Sequence, residues 1–202
     1  MQDGPALSKF SAHPADGYHD DSDERLVEQV AAGDRVAMQV LYARHHLRVY
    51  RFVLRIVNDA ATAEDLTSDA FLDVWKNAGR FEGRSQVSTW ILSIARYKAL
   101  AALRRRTNDR LDNVIACSIP DDADGPEAIL QKENESAILR QCLTQLSPAH
   151  REVIDLVYYH EKSIAEVAEI IGAPQNTVKT RMFHARKRVA ALLDARGFDA
   201  AA

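Results

Sequence analysis

The run from Ser163 to Arg188, SIAEVAEIIGAPQNTVKTRMFHARKR, leaves little freedom in how this chain can fold. Ser163 and Glu166 have the spacing of a capping box, in which each side chain satisfies an orphan amide at a helix start. Ile164, Val167, Ala168 and Ile171 then recur at i, i+3, i+4 and i+7, which buries one face. Gly172 supplies a turn, and Pro174 suits the first position of a second helix. That helix carries Val178, Met182, Ala185, Val189 and Leu192 on one stripe. From Gln175 to Arg188 there are five basic residues and no acidic one. Two short helices about a glycine, the second cationic and rich in amides and hydroxyls, have the pattern of a helix-turn-helix that enters a major groove. Such a pair is also an ordinary solvated surface. The separation of Glu161, Glu166 and Glu169 from the cations that follow creates a local field, which favours the nucleic-acid reading.

Eight glycines and six prolines in 202 residues, with few alternating β-branched runs, argue for an all-α chain. No stretch approaches the roughly 18 to 20 apolar residues that span a bilayer. The opening MQDGPALSKF lacks a signal-peptide core, so the expected location is cytoplasmic, without direct membrane insertion. Cys117 and Cys142 form no CxxC and read as free thiols. The histidines show no metal-ligand spacing, so neither a metal site nor a cofactor is expected. There is no glycine-rich phosphate loop and no nucleophile beside a base, so an enzyme with a small-molecule substrate is not expected.

The net charge of −3 hides segregation. Residues 1–23 hold one lysine and five aspartates, and 24–106 hold fourteen basic against nine acidic residues. Residues 107–136 hold two basic and eight acidic residues, and 137–194 hold eight basic and six acidic. The reading is a disordered acidic arm (1–23), a basic domain (24–106), an acidic linker broken by Pro120, DDADG and Pro126 (107–136), a second domain (137–194) and a tail (195–202). Two basic blocks separated by an acidic connector point to nucleic acid more than the total charge does.

Within the first domain, helical periodicity begins near Asp23, pauses at Gly33 and Asp34, and resumes to Val57. Arg44, Arg48, Arg51 and Arg55 ride on this second helix as a stripe, read mainly as a solvated face. Thr62 and Asp65 resemble a capping box opening AEDLTSDAFLDVW. Asp65, Asp69 and Asp73 then stack at i, i+4 and i+8, a spacing of like charges that costs a few tenths of a kcal/mol per pair. Beside Phe71, Leu72 and Trp75, this stripe suggests a dock for a basic partner helix. After Gly79 and Gly83 comes a helix with Phe81, Trp90 and Tyr97 interleaved with Arg84, Arg96, Lys98 and Arg104–Arg106. Stacking rings among cations suit an unstacked single strand, although Trp90 reads first as core. Ser147 and Pro148 open another helix, through Val153, Ile154 and Val157, ahead of the helix-turn-helix.

In this order, AEDLTSDAFLDVW, FEGRSQVSTWILSIARYKALAALRRR and LSPAHREVIDLVYYHEKSIAEVAEIIGAPQNTVKTRMFHARKRV resemble the extracytoplasmic-function (ECF) sigma factors, the two-domain group of the sigma-70 family. The resemblance covers about residues 24–194. It implies an alternative sigma factor that binds core RNA polymerase, reads promoter DNA at −35 and −10 elements, and is held inactive by a cognate anti-sigma factor. Asp65, Asp69, Phe71, Leu72 and Trp75 would face the clamp helices of the largest polymerase subunit. At the −10 element the implied contacts are Phe81, Arg84, Ser85, Ser88, Arg96, Tyr97, Arg104 and Arg105, with the loop from Phe81 to Ser88 holding a flipped base. At the −35 element, Lys179, Thr180, Phe183 and His184 would approach base edges, and Asn176, Thr177, Arg181 and Arg186 would anchor phosphates. The chain departs from frequent family residues at Tyr97, Ala101 and His184.

The alternative is a helix-turn-helix repressor or activator that binds operators as a homodimer, but the first half shows no extended heptad or sensor pattern. A single basic module binds duplex weakly, with nonspecific Kd on the order of 10⁻⁴ to 10⁻⁶ M, so affinity must come from linking two readers. A flexible linker of this length spans roughly 30 Å, whereas elements two helical turns apart are separated by roughly 70 Å. The expectation is a free protein that is compact, with its acidic connector near its own basic faces, and a linker stretched by polymerase.

Overall fold

The longest early helix, α2, sets the frame. Asp34 caps its start by accepting from the amides of Val36 and Ala37, and the helix runs from Arg35 to Val57. Val40, Leu41, Val49, Phe52, Val53 and Val57 lie on its buried face. A computed structural model describes residues 21–109 and 138–196. The acidic arm and the acidic connector expected from the sequence therefore lie outside the described residues, apart from their margins.

Helix α1 (Asp23–Ala31) is capped by Ser22 and packs on α2. Asp23 clasps the two together: His45 Nε2 lies 2.7 Å and Arg44 Nη1 2.9 Å from its carboxylate. The His45 hydrogen bond first, and Arg44 with it, hold that carboxyl below its ordinary range despite partial burial. Helix α2 ends at Asn58 in the left-handed region, and Asp59 at once caps α3 (Ala60–Asn77) by accepting from the Thr62 amide. The cap expected at Thr62 and Asp65 is thus replaced by Asp59, three residues earlier. An Asn-Asp pair supplies both the left-handed stop and the next N-cap, so no further turn is needed. A 3₁₀ turn (Ala78–Arg80) and a short loop lead to α4 (Val87–Asp109).

In the second half, a helical segment over 138–144 (α5) precedes α6 (Pro148–Ile154), which Ser147 caps with Pro148 in the first turn. The expected continuation through Val157 is instead a π-helical turn, Asp155–Tyr159. Helix α7 (Ile164–Ile171) begins with the anticipated Ser163–Glu166 capping box and ends at Gly172, whose φ of +64° is left-handed. Helix α8 (Gln175–Asp194) starts one residue later than expected, with Pro174 as its N-cap residue. Val178, Met182 and Ala185 are buried on the predicted stripe. Arg196 donates to the Sγ of buried Cys142 at 2.6 Å, which ties the tail to α5. Cys117 lies outside the described residues.

The all-α expectation holds: the described residues contain no strand and no helix long and apolar enough to cross a membrane. Helix α4 packs against α2 and α3 on one side and against α7 on the other. The core is continuous across that junction, running from Leu26, Phe52 and Ile91 to Leu156, Val167 and Met182. The expected two helical halves are therefore docked on each other in the free chain. Gly172 is a place where backbone conformation alone is tested, since a Cβ there meets nothing within 4 Å. Gly172→Ala should cost about 1 kcal/mol, and Gly172→Asn less, as read from urea unfolding midpoints.

Candidate nucleic-acid and partner interfaces

Three surfaces collect the residues singled out in the sequence. The first is an apolar groove of ≈ 670 Å³ between α2 and α3. Leu72, 53% exposed, and half-buried Trp75 line it. Phe71 is only 3% exposed, so it forms the floor and not the open rim, with its ring edge-on to Tyr42 at 4.8 Å. Asp65 shares the helical stripe of Ser68, Leu72 and Trp75, with Asp69 beside it, and both carboxylates are exposed. Asp73 is not a free member of this stripe, because Lys98 of α4 pairs with it at 2.8 Å. The opposite wall, Arg35, Met38 and Tyr42 of α2, was missed. Its signal is a second stripe at spacings of 3 and 4 on a helix whose other face already accounts for the core.

The second surface is the start of α4 and the loop before it. Phe81 and Trp90 are half-buried with their rings 5.0 Å apart. The core reading of Trp90 is thus half right, since it packs on the core from its edge. Tyr97 is 70% exposed, Arg104 and Arg105 are exposed, and exposed Arg84 pairs with Glu82. Ser85 is half-buried. Ser88 and Arg96, by contrast, are engaged by the second half of the chain. Arg96 donates twice to Glu152, at 2.7 and 3.2 Å, a bidentate pair of the strong kind. Lys162 Nζ donates to Ser88 Oγ at 2.6 Å, to Gln86 Oε1 at 3.0 Å and to Glu166 Oε1 at 3.1 Å. Thr89 Oγ1 donates to the same Glu166 oxygen at 2.9 Å.

Nor is the arginine stripe of α2 simply solvated. Arg44 holds Asp23, Arg51 donates to the Tyr159 hydroxyl, and Arg55 pairs with Asp155. The Arg55 guanidinium also lies 4.3 Å from the centre of the Tyr159 ring, a cation–π contact. Beneath them, buried His160 meets Phe52 edge-on at 5.4 Å and stands 3.5 Å from Asp155. The contacts that join the two halves have no local sequence signature, because those partners are 56 to 108 residues apart.

The third surface is the outer face of α8. Asn176, Lys179, Thr180, Phe183, His184 and Arg186 are exposed, with Phe183 at 64%, while Thr177 and Arg181 are half-buried. Thr180 Oγ1 donates back to Asn176 carbonyl oxygen at 2.9 Å. Arg186 sits 5.5 Å from the Tyr158 ring centre, and His150 stacks on His184 at 6.4 Å. Tyr158 and His150 were not singled out in the sequence, since they lie one helix away from the residues they touch. The face is cationic, polar and open, as reading DNA requires.

Burial pushes the Glu166 carboxyl up, but the Ser163 amide and hydroxyl, with Thr89 and Lys162, outweigh it and hold the carboxyl at about 2. A lowered carboxyl stabilises the fold fully above its ordinary value near 4.5 and loses that contribution as pH falls towards 2. Glu166→Gln should therefore lower stability at neutral pH and flatten the fall in stability between those two values, as measured by urea unfolding at stepped pH.

Comparison with known proteins gives consistent matches. The family model for Sigma-70 region 2 matches residues 41–108, and that for Sigma-70, region 4 matches 136–189. The chain is 32% identical over 162 residues to the ECF RNA polymerase sigma factor SigK of Mycobacterium sp. (strain KMS), covering 78% of this chain and 83% of that protein. It is 28% identical over 174 residues to SigK of Mycobacterium tuberculosis (strain ATCC 25618 / H37Rv), covering 85% and 93% respectively. Two solved structures share the fold. The sigma factor RpoE in complex with the anti-sigma factor NepR from Bartonella quintana has a TM-score of 0.64 at 24% identity, covering 77% of this chain and 96% of that one. CnrH in complex with the cytosolic domain of CnrY has a TM-score of 0.62 at 24% identity, covering 87% and 99%.

Proposed function

The chain belongs to the ECF sigma factors of the sigma-70 family, and from that premise we propose how its three surfaces divide the selection of promoters. It is an alternative sigma factor: it binds core RNA polymerase and directs initiation at particular promoters. It acts by binding, without a catalytic residue or cofactor of its own, in the compartment where the polymerase works, the cytoplasm. Residues 24–106 serve as region 2 and 137–194 as region 4, a division supported by the matched spans.

The groove between α2 and α3 takes the polymerase. An apolar floor at Phe71, walls at Leu72 and Trp75 and carboxylates at Asp65 and Asp69 suit a helix that is apolar on one side and basic on the other. The open face of α8 takes the −35 duplex. Lys179, Thr180, Phe183 and His184 approach base edges, and Asn176, Thr177, Arg181 and Arg186 hold phosphates. The start of α4 takes the −10 strand: Phe81, Arg84, Ser85, Ser88 and Tyr97 sit near the bases, and Arg96, Arg104 and Arg105 near the backbone. A protein inhibitor of the anti-sigma kind would act by covering the groove or the α8 face. The order of parts, region 2 groove first and cationic helix-turn-helix last on one docked scaffold, is the observation that carries this reading. It also disfavours a homodimeric repressor, which would have no use for the acid-rimmed groove.

The deciding assay is run-off transcription by core polymerase with and without the protein, on DNA from upstream of its own gene. Specific transcripts are expected only when the protein is present, and a DNA-binding homodimer indifferent to polymerase would overturn the reading. Asp65→Lys with Asp69→Lys should weaken association with core polymerase about tenfold or more, by placing like charges at the dock. Unchanged association on gel filtration would count against the groove. Arg181→Ala should weaken binding to all −35 duplexes alike and lower the salt dependence by about one ion, whereas Lys179→Ala should relax specificity.

A further inference from the structure

The cationic reading face does not end with α8. His150, half-buried on α6, has its ring 6.4 Å from that of exposed His184 and 28° off parallel, within the range of a stacked pair. In the assignment above, His184 approaches base edges. His150 therefore adjoins a base-reading side chain, although it lies outside both helices of the helix-turn-helix. A side chain in that position meets the sugar–phosphate backbone, because only the recognition helix enters the groove.

This pair of imidazoles has no counter-charge of its own. Asp23 holds His45 at 2.7 Å and Asp155 stands 3.5 Å from His160, but among the described residues no carboxylate pairs with His150 or His184. The surroundings add cations instead. Helix α8 places Arg181, Lys187 and Arg188 three or four residues from His184, and Arg140 of α5 is a further cation. On α6, Arg151 is turned to the carbonyl oxygens of Leu143, Thr144 and Leu146, and Glu152 is bound by Arg96. Asp155 is taken by Arg55 and Glu166 by Lys162, while exposed Glu169 of α7 pairs with neither ring.

A histidine changes charge between about pH 5 and 8. Neutral, its ring donates from one nitrogen; charged, it donates from both and becomes a cation. With no carboxylate at hand, the charged form gains its partner from outside, and on a surface that receives DNA that partner is a phosphate. We propose that His150 is part of the −35 reader, and that His150 and His184 together take up a proton from solvent when duplex DNA binds. The proton settles on an imidazole nitrogen, which donates to a phosphate oxygen, and it returns to solvent when the DNA leaves. The bound form holds more protons than the free form, so affinity for the duplex rises as pH falls. The inference rests on the reading of α8 as the duplex-binding face. It adds to that reading a contact from α6 and a dependence on pH that lysine or arginine at either place would not give.

The test titrates the full chain into a fluorescein-labelled duplex from upstream of its own gene, read by anisotropy at about pH 6 and about pH 8 and at several salt concentrations. With a phosphate contact worth about a factor of ten to the charged imidazole, the wild type should bind about fivefold more tightly at the lower pH. Its affinity should also fall with salt more steeply there, by about one ion. His150→Gln should lose most of that rise and the added salt dependence. His150→Lys, whose charge is fixed across this range, should bind at the higher pH as tightly as the wild type does at the lower one. A side chain that only packed against α8 would move neither the pH profile nor the salt slope. Neither pH reaches the range in which Glu166 gives up its charge, and far-UV circular dichroism checks each variant at both. Equal wild-type affinity at the two pH values overturns the proposal, as does a folded His150→Gln variant that keeps the full rise. A chain that binds duplex at neither pH overturns both the proposal and the assignment of α8. Failure of every form to support run-off transcription would sink the sigma-factor reading, while the pH profile of duplex binding would still decide the role of His150.

Discussion

A buried ammonium fixes the geometry of this molecule. Lys162 lies at the join between the two halves with its charge almost wholly removed from water. An unpaired charge there would cost several kcal/mol, so the site is tolerable only while acceptors surround it. Two of those acceptors, Gln86 and Ser88, belong to the first half and one, Glu166, to the second. Glu166 is in turn the residue that closes the capping box of α7. The carboxylate that starts the helix-turn-helix is thus the one that anchors it to α4, and the entry of one motif and the docking of two domains share a single side chain.

That sharing gives α4 a double role. Its inner side completes the three-helix packing with α2 and α3, and its other side receives α7. The same helix bears the aromatic and basic residues suited to a single strand. A surface that satisfies a protein partner at Arg96 and Thr89 is a surface denied to another ligand, whereas the α2–α3 groove and the face of α8 face outward. The α2–α3 groove is open in the docked form, so a ligand there needs no prior rearrangement, and it parts the domains only by binding the parted form more tightly through further contacts.

Local chemistry in the sequence was a good guide wherever partners are near neighbours. The Ser163–Glu166 box, the left-handed Gly172, the Ser147–Pro148 start and the buried stripe of α8 were all legible, because each rests on contacts within about two turns. The cap of α3 was misplaced, since Thr62 and Asp65 fit the pattern while Asp59, paired with the left-handed Asn58, makes the bond. What spacing could not supply was the long-range docking. Arg51, Arg55 and Arg96 looked like solvated or DNA-binding cations, and nothing local reveals that Tyr159, Asp155 and Glu152 meet them. One signal was available. Trp90, Ile91, Leu92 and Leu100 are spread right round α4 instead of falling on one stripe, as expected of a helix covered on both sides.

Whether the two halves, docked in the free chain, part on polymerase is open to direct measurement. Spin labels at exposed Arg105 on α4 and exposed Lys187 on α8 would report that separation directly by pulsed electron–electron resonance. A narrow distance distribution for the free protein, replaced by a longer one when core polymerase is added, is the result this structure predicts. A broad, long distribution in the free protein, or one that polymerase leaves unchanged, would contradict it.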